Sequence, residues 1–117
     1  MKISQYFTRA EFACHCGCGF DTADHVLVRY LETIRAHFGS PIAINSAARC
    51  IKHNRSIGSK DTSQHVIGRA ADITIKGISP EEVAAYADSI MPEGGIGIYR
   101  TFTHIDSRDA RARWDQT

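Results

Sequence analysis

Between Leu27 and Phe38 apolar side chains return every three or four residues, at Leu27, Tyr30, Leu31, Ile34 and Phe38, the spacing of one helix face. Asp21 or Thr22 stands where a cap belongs, and Gly39 with Pro41 forms a stop. Ile42-Ala43-Ile44-Asn45-Ser46 reads as a short strand. The segment from there through Gln64 is polar, basic and nearly free of periodicity, which predicts a long loop, and loops of that length in small domains tend to carry function. Over residues 70–76 the pattern becomes alternation. Ile73 and Ile75 point one way and Asp72, Thr74 and Lys76 the other, as in a half-buried strand. Ser79-Pro80-Glu81-Glu82 then opens a helix carrying Val83, Ala84, Tyr86, Ala87, Ile90 and Met91 and ending at Pro92. Residues 95–99 and 102–106 make two short strands joined as a hairpin through Arg100-Thr101. Near the start, Thr8-Arg9-Ala10-Glu11 is a capping box with Phe7 and Phe12 as its hydrophobic staple, and the glycines of Cys14-His15-Cys16-Gly17-Cys18-Gly19 stop the short helix it begins. The charged tail, residues 107–117, has Trp114 as its anchor. Helices segregated around a small, mostly antiparallel sheet define an α+β fold. No repeat, linker or low-complexity tract divides the chain, so residues 1–117 read as one domain.

Composition narrows the partners. With 14 Lys+Arg against 13 Asp+Glu, a net charge of +1 and no block of like charge, nothing draws the chain to nucleic acid or an anionic membrane. No apolar run approaches the roughly 18 residues of a membrane span. Met1-Lys2-Ile3-Ser4-Gln5 lacks the apolar core of a secretory signal, so the expectation is synthesis in the cytoplasm. Six His and four Cys are the unusual counts, and they make metal chemistry the first possibility to weigh.

The chemistry concentrates in Ser63-Gln64-His65-Val66-Ile67-Gly68-Arg69-Ala70-Ala71-Asp72. His65 precedes the strand, and Asp72 lies on the face opposite the isoleucines. In Phe102-Thr103-His104-Ile105-Asp106, alternation puts His104 and Asp106 on one face. If the two strands are neighbours, His65, Asp72 and His104 converge. Two imidazoles and a carboxylate suit Zn²⁺, and three protein ligands leave a fourth position open, as at catalytic sites. Asp106, its Cα about 6.6 Å from that of His104, has two possible roles: general base for hydrolysis, or a carboxylate that orients a histidine ligand. Arg49 offers a planar charged fork for a peptide carboxylate or a developing oxyanion, and Ser63 and Gln64 stand at the rim. Each residue alone has an ordinary explanation; the convergence is what points to a site.

Ser63-x-His65-x-x-Gly68-x-Ala70-x-Asp72 resembles the motif of the M15 zinc peptidases, the D-Ala-D-Ala carboxypeptidase and dipeptidase group that includes phage endolysins and wall endopeptidases. His104-Ile105-Asp106 resembles that family's second ligand region, Ser46-Ala47-Ala48-Arg49 with Asn54 its upstream segment, and residues 11–19 the start of its small phage and prophage members. The resemblance implies a Hedgehog/D-Ala-D-Ala-peptidase-like fold, one catalytic zinc on His65, Asp72 and His104, and Arg49 as the group that binds a substrate carboxylate or polarises the scissile carbonyl. Its substrates would be peptidoglycan stem peptides or cross-links, cut by a phage or prophage lysis enzyme acting at the cell wall after release. Two positions depart from the pattern. Thr101 stands where some members carry an acidic base, and Ala48 where many carry Tyr. The departure at Thr101 keeps a second reading open, a zinc-stabilised wall-binding or structural module with impaired turnover.

Cys14, Cys16 and Cys18 do not have the C-x-x-C spacing of common zinc knuckles. Together with Cys50 they suffice for one or two disulfides or a structural metal, and a structural role ranks ahead of free thiols and redox catalysis. Oxidation after release to the wall would lock the N-terminal loop to Cys50. His15, His25, His37 and His53 take no assigned chemistry.

Overall fold

A computed structural model describes residues 1–117. Helix α1 (His25–Phe38) is followed by β1 (Ile42–Ser46), α2 (Ile51–Ser56), β2 (Ala70–Ile75), α3 (Pro80–Ile90), β3 (Gly94–Ile98), β4 (Thr103–Asp106) and β5 (Arg111–Asp115). Short 3-10 turns at Arg9–Phe12 and Gln64–Ile67 complete the elements. The strands form one sheet in the order β1-β2-β4-β3-β5, antiparallel except where β5 runs parallel to β3. This is the α+β arrangement that the patterning predicts.

Alternation along the strands gives the sheet two different faces. Ile73, Ile75, Ile96 and Ile105 join Leu27, Leu31 and Ile34 of α1 and Val83, Ala84 and Ala87 of α3 in the core. Each large apolar side chain buried this way contributes about 1.5–3 kcal/mol. Phe7 and Phe12 close one end of the core, their rings edge-to-face at 6.1 Å. The Glu11 carboxylate accepts from the Thr8 backbone N–H at 2.8 Å, so the capping box forms, on a 3-10 turn.

Three local expectations are corrected. The cap of α1 is Asp24, whose carboxylate accepts from the Leu27 N–H at 3.2 Å, rather than Asp21 or Thr22. The stretch expected to be a long loop contains α2, a helix too short to display an apolar stripe; its cap is the Cys50 thiol, which accepts from the His53 N–H at 3.4 Å. The charged tail contains β5. Its sequence has little apolar alternation because tertiary contacts hold it: Arg111 and Arg113 reach Asp88 of α3 at 2.8 and 2.7 Å, and Arg113 donates to the carbonyls of Gly94 and Met91. No helix is long and apolar enough to cross a membrane.

Candidate metal centre and cleft

The second face of the sheet carries a transverse row. Register pairs Ser46 with Asp72, Asp72 with His104, His104 with Gly97, and Gly97 with Trp114, so one position from each of the five strands lines up across the sheet. Asp72 and His104 sit at its centre on strands with neighbours on both sides. His65 joins them from the 3-10 turn before β2. Ser63 caps that turn, its hydroxyl accepting from the His65 N–H at 3.3 Å. Gly68 ends it at φ +73°, where a Cβ would lie 2.6 Å from the Thr22 carbonyl oxygen, so only glycine fits. Ala70 is wholly buried. Ser63, Gly68 and Ala70 thus act as scaffolding that delivers His65 and Asp72.

Hydrogen bonding sets both imidazoles. Nδ1 of His65 lies 2.7 Å from the Ala47 carbonyl oxygen, which can only accept, so Nδ1 carries the proton and Nε2 turns a lone pair toward Asp72 Oδ1, 3.3 Å away. Nε2 of His104 lies 2.7 Å from Asp106 Oδ2 and donates to it, so Nδ1 turns its lone pair toward the same Asp72 oxygen at 3.0 Å. Two nitrogen lone pairs and a carboxylate oxygen therefore face one another in a buried place. That grouping needs a cation among them. All three ligand atoms lie within 4.8 Å of one another, and the spacing between ligands of a tetrahedral Zn²⁺ is about 3.3 Å. The donor set fits one zinc ion. Without an ion, a ring proton takes its place: burial opposes charge on both groups, yet hydrogen bonds from the protonated His104 and His65 then hold the Asp72 carboxyl well below the usual carboxylate range, and Asp106 and Asp72 raise the basicity of His104.

Arg49 enters from the segment after β1. Its Nε donates to Ser46 Oγ at 3.0 Å, one terminal nitrogen to Asn54 Oδ1 at 3.3 Å and the other to Asp72 Oδ2 at 3.2 Å. Three of its five N–H groups are used, leaving two for a ligand. Asn54, fully buried on α2, is itself fixed by donating to the Lys60 carbonyl at 2.8 Å. Burial lowers the Arg49 pKa and the Asp72 charge works against that; the guanidinium remains charged.

Arg49, His65, Asp72 and His104 line a cleft of about 260 Å³ together with Ser59, Ser63, Gln64, Tyr99, Phe102, Arg108 and Trp114. Gln64 Oε1 is buried without a hydrogen-bond partner. Ala48, which stands where many family members carry Tyr, is buried, and the cleft's aromatic surface comes from Tyr99, Phe102 and Trp114. Tyr99 and Phe102 stack at 4.4 Å across the β3–β4 turn, and the Trp114 indole donates to the Tyr99 hydroxyl at 2.9 Å. Gly97 has no side chain, so the indole lies over it, 5.1 Å from the His104 ring. Sequence reasoning missed Tyr99, Phe102 and Arg108 as cleft residues, because only strand pairing brings them to the ligands.

Asp106 is placed differently from the other candidates. It is wholly buried behind His104 and does not line the cleft. Its oxygens accept from His104, from the Gly95 backbone N–H at 2.9 Å, and from Arg108 through its backbone N–H and guanidinium, the shortest contact being 2.6 Å. Burial would raise the Asp106 carboxyl, but the bonds from His104 and Arg108 outweigh it and hold the group far below the usual range. Thr101 faces a separate cavity with Ile73, Pro80 and Val83 on the helix side of the sheet.

Gly95 makes room for the buried carboxylate, since a Cβ there would run into Asp106. Gly95→Ala is expected to destabilise the fold by about 1–3 kcal/mol through overpacking, measured as a lowered urea midpoint; an unchanged midpoint would show that Asp106 shifts freely.

The four cysteines gather outside the cleft, at the N-terminal loop and the start of α2, all unlinked. In comparison with known families, residues 5–106 match the family described as Peptidase M15. No curated protein matches the chain.

Proposed function

Since this chain belongs to the M15 peptidase family, we propose that it is a zinc peptidase that hydrolyses peptidoglycan stem peptides or cross-links, of D,D-carboxypeptidase or endopeptidase type, in phage or prophage lysis of the cell wall. The observation that carries the reading is the buried His65-Asp72-His104 donor set at the floor of a cleft with two arginines on its walls. Bound zinc supplies Lewis-acid activation of a carbonyl and of water. The chain's own groups do the rest. Arg49 offers its two remaining N–H groups to a substrate carboxylate or to the developing oxyanion. Free carboxylates are frequent in wall peptides, and Arg108, paired with Asp106, stands on the opposite wall of the cleft. Ser63 and Gln64 hold polar backbone at the rim, and Tyr99, Phe102 and Trp114 pack against the peptide. Asp106 acts as the orienter of His104: it fixes the ring so that Nδ1 faces the ion.

A second reading has its own support. Apart from Asp72, no carboxylate lines the cleft, and Thr101 faces elsewhere. This favours a zinc-stabilised module with impaired turnover. Purified peptidoglycan incubated with zinc-loaded protein separates the two readings. Mass spectrometry is expected to find shortened stem peptides, with the new termini naming the bond cut; undigested wall in the presence of stoichiometric zinc would establish the module instead.

A further inference from the structure

Some 36 residues of sequence separate Cys14 from Cys50, yet their sulfurs lie 3.9 Å apart. Cys16 Sγ lies 3.4 Å from that of Cys14 and 3.6 Å from that of Cys50, and Cys18 completes a group whose four sulfurs all fall within 4.8 Å of one another. No pair is singled out as a disulfide would single one out, and no two are joined. Zn–S bonds of about 2.3 Å in a tetrahedron place neighbouring sulfurs about 3.8 Å apart. The observed separations bracket that value. We propose that Cys14, Cys16, Cys18 and Cys50 bind a second, structural Zn²⁺ ion, distinct from the one at the cleft.

The local backbone is shaped for this. Alternate residues of an extended chain carry their side chains on one side but about 6.6 Å apart, too far to share an ion. Gly17 at φ +79° turns the chain between Cys16 and Cys18, and Gly19 at φ +91° turns it again toward Phe20. The Cys14 N–H donates to the Phe20 carbonyl at 2.8 Å and joins the two ends of the loop, and the Gly17 N–H donates to the Cys14 carbonyl at 3.2 Å to close a turn within it. Backbone N–H groups also point at the sulfurs, that of Cys50 at Cys14 Sγ and that of His53 at Cys50 Sγ. Such donors stabilise the thiolate form that a metal requires. Four thiolates close the coordination sphere, so the ion serves structure and has no position for substrate.

The place of the cluster gives it a purpose. Cys50 adjoins Arg49, and the Ala48 N–H donates to the Phe12 carbonyl at 3.0 Å. An ion here would clamp the N-terminal loop onto the short segment that carries both Arg49 and the Ala47 carbonyl, the group that fixes His65. The C-x-C-x-C spacing hid this, because the fourth ligand comes from a distant segment and the glycines supply the curvature that a C-x-x-C turn has by itself.

Metal analysis of the purified wild-type chain tests the proposal, with readouts that need no catalysis. About two zinc ions per chain are expected. p-Hydroxymercuribenzoate, which displaces zinc from thiolates, should release about half of the bound zinc while consuming the four thiols. His65→Ala should lose the cleft ion and keep the mercurial-released one, so failure of the peptidase reading and failure of this one appear in different fractions. Cobalt-loaded His65→Ala should show the sulfur-to-metal charge-transfer band of a four-thiolate site. The proposal is overturned if the mercurial releases no zinc from wild type, or if non-reducing mass spectrometry finds the hydrogens of paired thiols missing.

Discussion

Asp72→Ala is expected to empty the cleft of zinc and reduce the proposed wall hydrolysis to background. Asp72 is the only anion among the three ligands, and one of its oxygens faces both imidazoles while the other receives Arg49. Removing it leaves two neutral nitrogens to hold a dication. It also strands a buried guanidinium, and breaking a buried ion pair from one side costs about 3–5 kcal/mol. The metal-free protein should therefore unfold at lower denaturant than metal-free wild type. Asp72→Asn separates the two effects, since an amide oxygen can still accept from Arg49. That variant should fold and yet fail to retain the cleft ion through gel filtration. Full hydrolytic activity in either variant would remove Asp72 from the site.

Asp106→Asn tests a different link, between the buried carboxylate and the orientation of His104. Loss of a carboxylate that holds a histidine ligand lowers metal affinity about 10–100-fold. Saturating zinc should then restore most of the rate. A general base behaves otherwise: its loss lowers the rate at every zinc concentration. The pH dependence of stability gives an independent check on metal-free protein. Burial opposes the Asp106 charge, but His104 and Arg108 more than compensate, so the folded pKa lies below the unfolded value of about 3.9. The stability that this carboxylate brings is fully present above pH of about 4 and is lost as pH falls through the lower, folded value. Wild type should exceed Asp106→Asn in urea midpoint near neutrality, with the difference closing in strong acid. A gap that is constant with pH would mean that the ionised carboxylate is not what the variant removes.

The ligand set was legible because strand alternation is a local signal: Asp72 and His104 occupy the polar phase of two apolar strands, and nothing but a partner across the sheet is needed to bring them together. Ser63 and Gly68 were legible as a motif, and their physical work appears only when the 3-10 turn and the close approach to Thr22 are seen. The two roles open for Asp106 looked alike along the chain, since neither its burial nor its pairing with Arg108 leaves a trace in spacing. Helix α2 escaped notice because six residues hold too few turns for periodicity. β5 escaped because its place is decided by the free edge of β3 and by Asp88, both distant in sequence. The aromatic wall followed from the same cause, as Trp114 reaches the cleft only through that pairing.

The row across the sheet divides the cleft into a hub and a rim. The hub, Asp72 and His104, belongs to strands held on both flanks, whereas Trp114 arrives on the outermost strand, which has one neighbour. An alteration at Trp114 reshapes the surface a peptide meets, while Asp72 and His104 beneath keep their own partners on the central strands. Descendants of such a chain can change what they select without renegotiating how they react, and the boundary between those two freedoms runs along Gly97, the one place in the row with no side chain of its own.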